Sequence, residues 1–291
     1  MRFQWIAARR ACYPLSVLCE ALGVTRAGYY AWDKRRGRPC GERARRREGL
    51  AREVRSAHAQ SRGTYGSPRV YHELKAKGVA VCENTVAKVM REQCFRSVFI
   101  RRFKVRTTDS SHDHPVAPNV LGRDFTADAP DRKWAADITY VATGQGWLYL
   151  AVVIDLCTRR VVGWAMADHL RAELCLDALD MALKRRRPAQ GQGLLHHSDR
   201  GVQYACGDYR GLLREQGIAC SMSRRGDCYD NAVVESFFKT LKAELVYQER
   251  YQTREQARRS IFEYLEVFYN RRRLHSALGY VSPEQFEAGL N

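Results

Sequence analysis

The chain has 291 residues and a formal net charge of +17, enough length for two or three small domains with a sizeable core in at least one. Its longest apolar run, WLYLAVVI, falls short of the ~18 residues of a membrane span, and its N-terminal stretch MRFQWIAARRACYP lacks the apolar core of a signal peptide, so the chain reads as intracellular. The ten cysteines form no C-x-x-C pair, a usage that suits a reducing compartment where thiols pack as small apolar groups.

The charge is unevenly placed. Residues 1–108 hold 25 Lys and Arg against 8 Asp and Glu, whereas 109–291 hold 24 of each. A basic block joined to a neutral globular block points to a polyanion partner, most often nucleic acid. In the basic block, PLSVLCEALGVTRAGYYAW (14–32) predicts a helix, a turn at Gly23 and a second helix capped by Thr25. Lys34 to Arg55 is a basic run, partly helical. GSPRVYHELKAKGVAVCENTVAKVMREQ (66–93) repeats the plan, with Ser67 as cap, Pro68 in the first turn, Gly78 as stop and a second helix from about Asn84 to Gln93. Two helices joined by a short Gly-containing turn fit a helix-turn-helix, whose second helix can enter a major groove. The expected units are 1–58 and 59–108. Arg26, Arg69, Lys88 and Arg91 are candidate DNA contacts within them.

Residues 109–130 read as a polar linker; His112 and His114 lie there without the cluster a zinc site needs. From Lys133 the pattern turns to strands: KWAADITYVA, WLYLAVVIDL and RRVVGWAMA, with a turn at Gly144 and Gly146. A helix from Ala172 to about Arg186 follows, then the short strand GLLHHSD, the helix DYRGLLREQG, the strand IACSMSR and the helix YDNAVVESFFKTLKAEL. This order predicts an α/β ribonuclease-H-like core over 131–250, a mixed five-stranded sheet flanked by helices, preceded by the all-α helix-turn-helix region. A long helix, Arg254 to Tyr269, and a basic tail with Arg271 and Arg272 as further candidate DNA contacts fill 251–291.

Three acids stand out. Asp137 lies mid-strand among Trp134, Ile138 and Val141, a costly place for a carboxylate without a compensating partner. Asp199 ends the fourth strand, where ligand sites gather in open α/β sheets. Glu235 is on the following helix, where Lys239 and Lys242 share its face. Glu235 is therefore either half of a surface ion pair or the third member of a carboxylate cluster. Oxygen-only ligands of this kind suit Mg²⁺ or Mn²⁺.

The same stretches carry a family resemblance. WAADITYV, VVIDLCTRRVVGW, HSDRGVQY, CYDNAVVESFFKTLKAEL, YNRRRLHSALGYVSPEQF and YGSPRVYHELKAKG resemble the second-frame subunit of the IS-three family of insertion-sequence transposases, which share a catalytic core with retroviral integrases. The resemblance covers nearly the whole chain. It implies a bacterial, cytoplasmic, nucleoid-associated DNA transposase in which Asp137, Asp199 and Glu235 are catalytic and hold two Mg²⁺ (or Mn²⁺) ions. It also implies double-stranded DNA partners, namely terminal inverted repeats and target, an assembly of at least two copies on DNA, and an upstream-frame subunit. Lys242 would grip a phosphate, Asn231 would support the site, and His197, on the same strand face as Asp199, would support it through a metal-bound water or, the favoured reading, simply pack. No sustained heptad is present, nor the paired His and Cys of the retroviral zinc module. Two other readings remain at this stage: a structure-specific nuclease of the same fold, and a non-catalytic helix-turn-helix regulator.

Overall fold

The structure, a computed structural model, describes residues 1–36, 41–98, 115–189, 191–224 and 228–290. His112, His114 and the first part of the linker lie outside the described residues. Among the described residues no helix is long and apolar enough to cross a membrane.

The chain opens with α1 (Arg2–Arg9), α2 (Leu15–Ala21) and α3 (Arg26–Arg36). Sequence reading missed α1, whose eight residues bury only Ile6. Ile6, Leu18, Cys19 and Tyr29 form a small core. Between α2 and α3, Gly23 adopts φ +62°, a left-handed turn that favours glycine, and the Thr25 hydroxyl accepts the Gly28 N–H at 3.0 Å. A second helical unit follows: α4 (Glu42–Gln60), α5 (Ser67–Ala76) and α6 (Glu83–Glu92). Gly66, not Ser67, is the N-cap of α5, and no side-chain cap bond forms; Ser67 is already inside the first turn. Gly78 ends the hairpin's first helix at φ +76°.

The sheet contains β1 (Lys133–Thr143), β2 (Gly146–Asp155), β3 (Val161–Ala167), β4 (Leu195–Ser198) and β5 (Ala219–Met222). Its order is β3-β2-β1-β4-β5. β1, β2 and β3 form an antiparallel meander, and β4 and β5 join parallel to β1. Alternating residues of β1 serve two layers, as a strand's period of two requires. Trp134 and Ala136 face α7 (Ala172–Arg186) and α9 (Gly207–Glu215), with the one-turn α8 (Val202–Ala205) between them. Ala135 and Val141 face α10 (Ala232–Glu244) and α11 (Arg254–Phe262). Gly163 lets α7 lie directly on β3: a Cβ there would sit 2.2 Å from the Ala178 carbonyl oxygen. This is the expected ribonuclease-H-like core.

Three details depart from the expected elements. The helix read as Arg254 to Tyr269 is α-helical only to Phe262 and continues as a π-helix over Glu263–Tyr269. The tail contains α12 (Pro283–Ala288), opened by a capping box between Ser282 and Gln285. The described part of the linker lies on the sheet: the Ser221 hydroxyl accepts the N–H groups of Val120 and Leu121 at 3.0 and 3.1 Å. The α4–α6 unit also packs onto the core, since Val54, Val70, Leu74 and Val86 belong to the same apolar cluster as Phe237, Leu241 and Phe268.

Candidate active site

The parallel ladder brings two of the acids together. Ala136 pairs with Ser198, the last β4 residue. Asp137 and Asp199 are the next residue on each side, and adjacent strands run about 4.8 Å apart. Both line one small cleft with Ile138, Tyr149, Leu170 and Gly201. Asp137 shares its side of β1 with Ala135 and Val141, the side that faces α10. Its carboxyl is held well above the usual carboxylate range, chiefly by burial, then by the negative charge of Asp199 and, less strongly, of Glu235. The Ile138 N–H, donated to Asp137 Oδ1 at 2.8 Å, and the nearby Lys242 ammonium oppose this.

Helix α10 delivers Glu235. Val234, Phe237, Phe238 and Leu241 are buried along its inner stripe, each contributing roughly 1.5–3 kcal/mol to its attachment. Asn231 pins its N-terminal end: Nδ2 donates to the Ala136 carbonyl at 3.0 Å, immediately before Asp137. Glu235 follows one turn later. Its side chain is about one-third exposed and stands 3.6 Å from Lys239, so the surface ion pair that the sequence allows is present. Lys242 takes a different path: its ammonium lies 4.9 Å from the centre of the Tyr140 ring, and burial lowers its pKa while Asp137 raises it.

The acids are neighbours without forming a closed metal site. Among the described residues no three His, Cys, Asp or Glu side chains stand close enough to hold an ion. Asp199 Oδ1 accepts the Gly201 N–H at 2.9 Å, and Glu235 leans to Lys239. The donor set nevertheless fits a hard cation. It is all carboxylate oxygen, and a divalent ion would relieve the repulsion that adds to burial in suppressing ionisation of Asp137.

His197 does not reach the acids. It is fully buried, with Nδ1 2.9 Å from the Ser221 hydroxyl and Nε2 3.1 Å from Ser223. Ser221 already accepts two backbone N–H groups, so its proton points to Nδ1 and the ring is the neutral Nε2–H tautomer. Burial keeps it neutral, with a pKa near 4. It packs between β4 and the end of β5. Asp155, fully buried, staples the β2–β3 turn by accepting the N–H groups of Asp131 and Thr158, both at 2.7 Å. A residue that sequence reading quoted only as motif is central here: Asp230, also fully buried, accepts from Asn119, Arg123 and Arg224 at 2.8, 2.9 and 2.9 Å. It ties the linker to the start of α10.

The candidate DNA contacts divide into two groups. Arg26, Lys88, Arg91, Arg271 and Arg272 are exposed. Arg69 is not among them: it is partly buried, and its Nε donates to the Leu274 carbonyl at 2.9 Å, inside the junction of α5 with the C-terminal segment.

Comparison with known proteins identifies the family. Residues 127–228 and 216–283 match two family models described as integrase core domain, and 45–103 match an HTH-like domain. The chain is thus an enzyme with an integrase-type core. It is 43% identical to the transposase InsF for insertion sequence IS3A of Escherichia coli (strain K12), over 99% of this chain and 98% of that one. It is 44% identical to an uncharacterized 31 kDa protein of insertion element IS600 from Shigella sonnei, over 92% and 97%. A simian T-cell lymphotropic virus intasome chain aligns at 13% identity and a TM-score of 0.48, over 81% of this chain and 74% of that one. The chain belongs to the IS3 family of insertion-sequence transposases.

Proposed function

We propose that this transposase cuts DNA at the ends of its insertion sequence and joins the freed strand to a second phosphodiester, with Asp137, Asp199 and Glu235 as the catalytic carboxylates. The observation that carries the reading is the position of Asp137: in register beside Asp199 on the parallel ladder, and within the field of Glu235 from α10. These three would hold Mg²⁺ or Mn²⁺, two ions by the family resemblance. When bound, such ions act as Lewis acids toward the attacking and leaving oxygens. The chain itself orients the DNA. Lys242, steadied on the Tyr140 ring, offers a cation beside the acids for a backbone phosphate.

Two displacements at phosphorus suffice. Water first opens a phosphodiester at the element's end and releases a 3′-hydroxyl. That hydroxyl then attacks a second phosphodiester, one P–O bond forming as another breaks, so no energy source or covalent enzyme intermediate is required. Joining one end to another implies at least two copies on DNA, and the family resemblance adds an upstream-frame subunit as partner.

The deciding experiment incubates the full chain and Mg²⁺ with labelled duplex carrying the element's terminal repeat, taken from the sequence flanking the coding region. Binding, nicking and joined product are expected together. Binding alone would mean a regulator, and nicking without joining would mean a nuclease of the same fold.

Recognition falls to the helical units that carry the positive charge. Lys88 and Arg91 are one turn apart on the exposed side of α6. Changing both to Ala should weaken end binding and reduce the slope of log K against log[salt] by about 0.9 per lost phosphate contact, with the melting temperature unchanged. A salt titration that superimposes on the wild type would assign α6 to packing and move recognition to α2–α3.

A further inference from the structure

The last turn of α10 ends in a buried ion pair that the proposed chemistry does not use. Arg273 Nε and Nη2 donate to the two oxygens of Glu244 at 2.8 and 2.7 Å. Only 5% and 7% of the two side chains remain exposed. The Tyr264 hydroxyl adds a third bond to Glu244 at 2.7 Å. A buried pair of this kind seldom stabilises more than an apolar pair of equal volume would. What a matched guanidinium fork adds is a single allowed orientation of the two partners.

That orientation bears on Glu235. Glu235 and Glu244 are nine residues apart on one helix. At about 100° per residue they lie on opposite sides of it. With Glu244 turned to Arg273, Glu235 is turned the other way, toward β1. Asn231 fixes the near end of α10 on Ala136, and Arg273 fixes its far end and its rotation. Arg273 is itself held from the helix-turn-helix side. The Leu274 N–H donates to the Tyr65 hydroxyl at 2.7 Å, that hydroxyl donates to the Arg272 carbonyl at 3.2 Å, and Arg69 donates to the Leu274 carbonyl. Tyr65 and Arg69 flank and open α5.

We propose that Arg273 is a positioning residue for the Glu235 carboxylate, and that through it the α4–α6 unit and helix α10 form one rigid piece. The inference rests on the reading of Glu235 as the third catalytic carboxylate. It gives the run Arg271-Arg272-Arg273 two functions: the first two side chains are exposed, and the third is a latch.

The test compares full-length wild type with Arg273→Met, Arg273→Met/Glu244→Leu and Arg273→Lys. For each, the melting temperature, end-DNA binding, nicking, and Mn²⁺ binding to DNA-free protein by electron paramagnetic resonance are measured. Arg273→Met alone strands a buried carboxylate and should melt well below the wild type. The double variant should regain most of that loss and bind DNA normally, yet need roughly 10- to 100-fold more Mn²⁺ for half-saturation and nick correspondingly slowly. Arg273→Lys, which keeps the charge without the fork, should show a raised Mn²⁺ midpoint at near-normal stability. Wild-type Mn²⁺ midpoints in the double variant and in Arg273→Lys would overturn the proposal and reduce the pair to packing; if the double variant does not fold, Arg273→Lys decides alone. Glu235→Gln serves as the control on the underlying reading. If it binds Mn²⁺ as the wild type does, Glu235 is not a metal ligand, and that reading fails independently of the latch.

Discussion

Glu235→Gln should leave DNA binding nearly intact and abolish both nicking and joining. Gln keeps the side chain's shape and one acceptor oxygen but removes the charge that holds a divalent ion among phosphates. Loss of several kcal/mol of transition-state stabilisation corresponds to a fall of about a thousandfold or more. Asp137→Asn and Asp199→Asn should do the same, and combining them should add little, because the three act as one unit. Without metal these variants should melt no lower than the wild type, and Asp137→Asn higher, since Asp137 is buried and is crowded by the charges of Asp199 and Glu235. Lys239→Ala should be mild, because Lys239 has no role in the proposed metal site. Loss of its 3.6 Å contact with Glu235, a surface pair, costs at most ~1 kcal/mol and little activity. Measurable joining by purified Glu235→Gln protein in Mg²⁺ would return Glu235 to the surface.

Much of this site was legible in the sequence for identifiable reasons. Asp137 was visible because an acid in an apolar strand violates the strand's own pattern. The β1–β4 neighbourhood followed from the expected fold, and the ladder, whose register no local signal gives, places Ala136 opposite Ser198. Other features had no local signal. Arg69 reads as a surface cation because nothing local reveals that it turns inward to Leu274, and nothing in the run Arg271-Arg272-Arg273 marks the third member as buried; that depends on Glu244, which is distant in the chain. Asp230 looked like part of a motif, yet its partners Asn119 and Arg123 lie more than a hundred residues upstream. Helix α1 was missed because its eight residues bury only Ile6, too short a span for an apolar period to stand out. The π-helical turn after Phe262 has the same apolar spacing as an α-helix, so periodicity could not separate them.

Asp230→Ala should produce the largest loss of stability among single changes near the site. The carboxylate is buried and accepts from Asn119, Arg123 and Arg224, the last also through its backbone N–H. Removing one partner of a buried ionic network costs on the order of 3–5 kcal/mol. Arg123 and Arg224 are 44% and 57% exposed and can rehydrate, which places the expected loss near the lower end, about 3 kcal/mol. A chain of 291 residues should then melt roughly 5 °C lower. The same carboxyl makes a pH signature. Hydrogen bonds from Arg224, then Arg123, hold it well below the usual range. A depressed folded-state pKa stabilises the fold above the unfolded value of about 3.9, and that stability is lost as pH falls below it. Between pH 5 and pH 3 the urea midpoint of the wild type should therefore fall more than that of Asp230→Asn. Parallel curves for the two proteins would show that Asp230 does not carry the acid sensitivity.

The parallel pairing of β1 with β4 restricts how this chain can vary in length. β4 is only four residues long, and Asp199 follows it directly. One residue inserted or deleted between Leu195 and Asp199 would move the acid about 3.3 Å along the strand and turn it to the opposite face of the sheet. The same slip would pull His197 out of its slot between Ser221 and Ser223. Substitutions along β4 can be graded in their effect, but a change of length there is all or nothing, so length variation that preserves the site is confined to connections outside the ladder.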